Sequence, residues 1–374
     1  MNRTPTRHSH PSMPGQVVLV LQGGGALGAY QLGVYQAMHE AGVEPDWVIG
    51  TSIGAVNAAI IAGNLPHHRL DRLRQFWGQM EQNALGALGF SAIPRALANL
   101  VTMGQGIPAF FEPNLAAWWG PEVKLGVEQA AYYRTAPLRT TLDTLVDFDY
   151  LNGGHTRLTV GAVNARSGAM RYFDTRRETL NASHVMASGA IPPAFPAVRV
   201  DGEPYWDGGI YSNTPIEAVL DDEPRRSSVI FSVQVWNPDG SEPQSVLEVL
   251  DKHKEIQYAS RAGNVEQQRK LHRLRHVIRQ LTLHLSDEAA GSPEVRELAA
   301  WGCGTTMHIV ALKAPRLGGE DHTKDIDFSA QGIRQRWQAG YDDTQRFIAL
   351  KPWEHEVDPI EGVAIHELPP APSA

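Results

Sequence analysis

A chain of 374 residues with 42% hydrophobic content has ample length for a buried core, in one large or two ordinary domains. Its formal net charge of −8 gives no case for nucleic-acid binding, and a single cysteine, Cys303, excludes an intramolecular disulfide framework. No apolar run approaches membrane-spanning length. Residues 1–14 are polar and rich in Pro, Ser and His, lack the apolar core of a leader, and read as a disordered tail.

Gln16 to Leu21 is an apolar, β-branched run that predicts a buried strand. It ends in Gln22-Gly23-Gly24-Gly25-Ala26-Leu27-Gly28, and a helix is expected from about Ala29 to Ala41, closed by Gly42. Gly23, Gly25 and Gly28 satisfy G-x-G-x-x-G, the dinucleotide fingerprint, which requires an acid at the end of the second strand. That strand, Trp47 to Ile49, ends instead in Gly50-Thr51-Ser52, and Asp46 precedes it, at the wrong end of the sheet. Gly50-Thr51-Ser52-Ile53-Gly54 is a G-x-S-x-G pattern leading into a helix of small and apolar residues, Ala55 to Ala62. A sharp strand-to-helix turn presents its apical serine, with the unpaired N–H groups of a helix start behind it. Taken alone, the pattern fits equally a glycine-rich turn with serine as a helix cap. In a parallel β-α-β unit both strands deliver their C-terminal ends to one edge, so the glycine loop and Ser52 emerge side by side. The N–H groups of such a loop suit the oxyanion of an acyl intermediate or a phosphate, and the adjacent serine favours acyl transfer.

Leu70 to Met80 has helical spacing, whereas Phe90 to Gly120 is apolar and interrupted by helix breakers. Its aromatic residues, with Phe110, Phe111, Trp118 and Trp119 foremost, form either a packed insertion or a wall of the substrate site. A short helix is expected over Thr140 to Val146, then a strand over Leu158 to Val163 with a hairpin partner over Ala169 to Asp174. Ile191 to Pro196, with three prolines, reads as a rigid extended loop. A strand over Glu203 to Trp206 feeds Asp207-Gly208-Gly209, and Thr214 and Pro215 open a helix. Beyond these, strands are expected over Val229 to Val235 and Met307 to Leu312, and helices over Lys252 to Leu281 and Ser329 to Leu350. Ala364 to Ala374 reads as a proline-rich tail, and no Cys/His spacing suggests a metal site.

The glycine loop Gly23 to Gly28, the serine turn Gly50 to Gly54 and Asp207-Gly208-Gly209, in this order and spacing, resemble the patatin-like phospholipase family over roughly Val17 to Leu220. The resemblance implies a three-layer α/β/α sandwich with a mostly parallel central sheet. It implies Ser52 as nucleophile and Asp207 as its base, with Gly50 and Gly54 flanking the elbow and Gly208 and Gly209 shaping the dyad loop. Gly23, Gly24, Gly25, Ala26 and Gly28 then form the oxyanion hole, with Gly24, Gly25 and Ala26 as N–H donors. Neither metal nor cofactor is implied. The substrate implied is a phospholipid, lysophospholipid or related hydrophobic ester at a membrane surface, for a protein in the cytoplasm or peripheral to a membrane. Leu27 departs from the family, which usually carries Arg or Lys there. Residues 15–236 are expected to be the catalytic region, and 237–374 a mainly helical extension packed on the same core. Three other readings stand beside this one: a Ser–His–Asp esterase using His253, His284 or His308, a dinucleotide-binding oxidoreductase, and an inactive lipid-binding protein.

Overall fold

The computed structural model describes residues 13–82, 104–259, 265–318, 320–358 and 360–368. Its strands are β1 (Gln16–Leu21), β2 (Trp47–Gly50), β3 (Glu112–Pro113), β4 (Tyr133–Arg134), β5 (Arg157–Asn164), β6 (Met170–Asp174), β7 (Val198–Val200), β8 (Glu203–Asp207), β9 (Ser228–Gln234), β10 (Met307–Lys313) and β11 (Val363–Glu367). Among the described residues, nine of them form one sheet in the order β11-β10-β9-β1-β2-β5-β8-β7, with β6 also on β5. From β11 to β5 every pairing is parallel, while β6, β7 and β8 run antiparallel to their neighbours. β3 and β4 form a separate antiparallel pair.

Alternation along β1 splits the core into two layers. Val17, Leu19 and Leu21 join one apolar cluster with Leu32 of α1 (Ala29–Glu40) and Val56 of α2 (Ile53–Ala62). Val18 and Val20 join a second with Ile216, Val219 and Leu220 on the opposite face. The result is the α/β/α sandwich. α2 is apolar but for Asn57 and buried along its whole length, so it sits inside the molecule directly behind the serine turn. The helix Ala330–Leu350 packs on α1, with Tyr30 donating to Asp343 at 2.8 Å and Trp337 donating to Gln36 at 2.7 Å. Asp46 is a structural residue: its carboxylate accepts the Val17 N–H at 2.8 Å, at the edge away from the loops.

Several elements differ from expectation. The helix expected over Lys252 to Leu281 begins earlier, at Val246; helix is described over Val246–Ala259 and Val265–Leu283, and residues 260–264 lie outside the described residues. The short helix expected at Thr140 begins earlier, at Ala136, because Pro137 suits its first turn. β3 and β4 have two residues each, too few for any periodic signal. β11 falls where a proline-rich tail is expected. It is an edge strand in which only Val363 is fully buried, so it lacks an apolar run.

Candidate active site

β5 brings the serine and the aspartate together. β2 pairs with Arg157 to Val160 of β5, and β8 pairs with Ala162 to Asn164. β6 covers Thr159 to Val163 along one edge of β5. A strand has two edges, so β2 and β8 share the other one and approach each other end to end. β2 stops at Gly50 opposite Val160, and β8 stops at Asp207 opposite Ala162. Both chains therefore turn out of the sheet at the same gap.

Ser52 occupies the turn after β2 with φ 56° and ψ −125°, a conformation costing a non-glycine residue about 1–3 kcal/mol. Neighbouring bonds hold it there: the Ser52 N–H donates to the Ser188 carbonyl and to Ser188 Oγ, each at 3.1 Å. The turn closes backbone on backbone. A Cβ on Gly50 would lie 2.3 Å from the Gly54 carbonyl oxygen, and one on Gly54 would lie 2.3 Å from that of Leu21. No side chain fits at either position.

Asp207 is 2% exposed, and its Oδ1 accepts the Gly209 N–H at 2.7 Å. The Ser52 side chain adjoins this carboxylate closely enough to draw its pKa down. Burial pushes the Asp207 carboxyl up to about 7, against the opposing pull of Ser52 and of the Gly209 hydrogen bond. A carboxylate with that value is a competent proton acceptor at neutral pH.

The glycine loop lies beside this pair. Gly25, at φ +55°, opens a short 3-10 turn, Gly25–Gly28, that runs straight into α1. Among the described residues, the N–H groups of Gly24, Gly25 and Ala26 donate to no other backbone group. Such unpaired donors are expected at a helix start. The Gly23 N–H is engaged, donating to Asn213 Oδ1 at 3.1 Å. Gly23, Gly24 and Gly25 face the open space over Ser52, while Ala26, Leu27 and Gly28 are buried behind them.

That space is a cavity of about 300 Å³ reaching from Ser52 and Asp207 to a largely aromatic wall. Phe110 and Phe111 line it, with Tyr133 and Phe195. The rings meet edge-on or tilted, with Phe111 at 4.8 Å from Tyr133 and 5.3 Å from Phe195. Backbone bonds from Tyr132 and Tyr133 to the carbonyls of Pro193 and Ala194, at 3.1 and 2.9 Å, fix this arrangement. Trp119 does not belong to the wall; it is 84% exposed. The Trp118 side chain and Phe90 lie outside the described residues. Trp236, Tyr258, Ile326 and Phe328 close the other side. No pattern in the sequence marks them, since each is a lone apolar residue at the end of a strand or helix or in a loop. Among the described residues no histidine lines the cavity, and His308 pairs with His366 at 3.1 Å on β10 and β11.

A family model described as patatin-like phospholipase matches residues 19–220, more than half the chain, and a second, described as patatin phospholipase, matches residues 256–360. The chain belongs to the patatin-like phospholipase family, a family of lipid hydrolases. It is 26% identical over 241 residues to lysophospholipase NTE1 of Candida glabrata, covering 64% of this chain and 12% of that protein. It is 46% identical over 67 residues to lysophospholipase nte1 of Aspergillus terreus, covering 17% of this chain and 4% of that one. The chain thus spans a small fraction of the length of these curated relatives. Among solved structures, VipD from Legionella pneumophila aligns with a TM-score of 0.41 and 16% identity, over 92% of this chain and 69% of that one. Among the described residues no helix is long and apolar enough to cross a membrane.

Proposed function

We propose that this chain hydrolyses acyl esters of lipids through a Ser52–Asp207 dyad and an acyl-enzyme. One observation carries the reading: a buried carboxylate, raised to about 7, adjoins a serine on a strained turn at the floor of an apolar cavity. Ser52 Oγ attacks the ester carbonyl carbon as its proton passes to Asp207. The oxyanion forms against the N–H groups of Gly24 and Gly25, which face the cavity. The carbonyl then re-forms and the C–O bond breaks, with the departing alcohol taking the proton from Asp207. Water attacks the acyl-enzyme with Asp207 again accepting a proton. Ser52 recovers it, and the fatty acid leaves.

The absence of histidine from the described cavity wall favours the dyad over a Ser–His–Asp triad. The engagement of Gly23 with Asn213 and the serine at the end of β2 disfavour a dinucleotide. The aromatic wall fits an acyl chain, so lipids met at a membrane surface are the substrates of choice. The test is a hydrolysis panel of phospholipids, lysophospholipids, acylglycerols and short-chain nitrophenyl esters, run beside Ser52→Ala. Hydrolysis of at least one long-chain ester, lost in the variant, is expected. No hydrolysis of any ester would sink the proposal and favour an inactive lipid-binding protein.

Two further outcomes follow. A buried methylene contributes about 0.8 kcal/mol, so removing both Phe110 and Phe111 rings by Ala should weaken long-chain substrates most. The ratio of long- to short-chain kcat/KM is expected to fall roughly tenfold. Equal losses on both, together with a lower Tm, would make these rings structural only. Activity is also expected to persist in excess EDTA, because the dyad and the backbone donors supply the base and the oxyanion site. A loss restored only by calcium or zinc would contradict this mechanism.

A further inference from the structure

The Gly23 peptide is gripped by two side chains from distant parts of the sequence. Asn213 accepts the Gly23 N–H through Oδ1 and donates to the Gly23 carbonyl through Nδ2, both at 3.1 Å. Trp236 Nε1 donates to the same carbonyl at 2.8 Å. This carbonyl is buried, and it cannot turn without leaving the Trp236 N–H unpaired and stripping Asn213 Nδ2 of one of its two acceptors, the other being the Tyr258 carbonyl at 3.2 Å. A peptide unit is planar and trans, so the Gly24 N–H points the opposite way from the Gly23 carbonyl. Fixing the carbonyl therefore fixes the direction of the first candidate oxyanion donor. The matter is acute in a run of glycines, which tolerates either sign of φ and resists a peptide flip least. A flip would put a carbonyl oxygen where the N–H belongs.

We propose that Trp236 and Asn213 are positioning residues that hold the Gly23–Gly24 peptide in the orientation that receives the oxyanion. The proposal rests on the acyl-transfer reading above. It gives the C-terminal third of the chain a part in the site, because that third anchors Trp236. The indole stacks on Tyr258, with ring centroids 5.0 Å apart and planes 28° from parallel. The ammonium groups of Lys254 and Lys324 each lie 5.9 Å from its ring, within cation–π range. Both lysines are pinned: Lys254 to Asp325 at 2.7 and 2.8 Å, and Lys324 to Asp251 at 3.0 Å and to Glu255. Asp325 also reaches the loop directly, its carbonyl so close to Gly25 that a Cβ there would come within 2.3 Å. Gln22 ties the same parts together from the residue before the loop. Its Oε1 accepts the Val235 and Trp236 N–H groups at 2.6 and 2.9 Å, and its Nε2 donates to Thr214 at 2.7 Å and to the Tyr258 carbonyl at 3.2 Å.

Trp236→Phe tests this in the full chain, since phenylalanine keeps a ring for Tyr258 and the lysines but has no N–H. With a short-chain nitrophenyl ester, kcat is expected to fall about tenfold or more while KM stays within about twofold, with Tm close to wild type. Asn213→Ala should give the same split, and it decides the matter if Trp236→Phe does not fold. Wild-type kcat in a folded variant, or a loss that follows KM or Tm alone, would overturn the proposal. Ser52→Ala assayed alongside separates the two readings. If it is dead while Trp236→Phe turns over normally, the positioning role fails and the dyad stands. If Ser52→Ala keeps turnover, the acyl-transfer reading falls and the positioning role with it.

Discussion

Ser52→Ala and Asp207→Asn are each expected to cut kcat by about four powers of ten or more, and the double variant by no more than either single one. The expectation comes from the geometry of the gap on β5. The two residues meet only because β2 and β8 end against each other there, which sets the serine side chain beside the carboxylate. A nucleophile without its base, or a base without its nucleophile, has no partial function to retain. Stability should move the other way for Asp207→Asn. The folded carboxyl stands near 7 against 3.8 for an ordinary aspartate, so its charged form is disfavoured by folding. A raised acid pKa means the folded state binds the proton better, so stability declines as pH rises from about 4 to about 7. Asparagine removes that pH-dependent decline. At pH 8 the Tm of Asp207→Asn is therefore expected to equal or exceed wild type, which separates lost chemistry from lost folding. A single-histidine variant as inactive as Ser52→Ala, together with an active Asp207→Asn, would defeat the assignment.

The pH dependence should carry the second large effect. In the proposed dyad Asp207 can serve as base only when ionised, and burial pushes its carboxyl up to about 7. For a neutral ester, kcat/KM is expected to rise about tenfold per pH unit up to about pH 7 and then level off. Between pH 5 and pH 8 that amounts to roughly a hundredfold. One ionisation should describe the rising limb. A profile flat across this range would mean that Asp207 is already charged at pH 5 or is not the base.

The glycine loop and the serine turn were legible because each occupies a local pattern: an apolar run, glycines, then a helix of small residues. Strand-to-helix geometry follows from such a pattern wherever it occurs. Asp207 was marked only through the resemblance, because an Asp-Gly turn by itself is commonplace. Its meeting with Ser52 depends on β8 taking the same edge of β5 as β2, which is a matter of register between segments far apart in the chain. Asn213 sat in a stretch that read as the approach to a helix cap, and Trp236 at the end of an apolar strand. Nothing local shows that both bond to Gly23. Among the candidate wall residues, Phe110 and Phe111 reach the cavity and Trp119 faces solvent. Aromatic content alone does not tell the two outcomes apart.

The most direct measurement is the site of covalent modification by a fluorophosphonate, read by intact mass and then by peptide mapping. The account predicts one adduct per chain, on Ser52, formed in step with the loss of ester hydrolysis. It predicts no adduct in Ser52→Ala and greatly slowed labelling in Asp207→Asn. An adduct on another residue, or hydrolysis that survives full modification of Ser52, would contradict it.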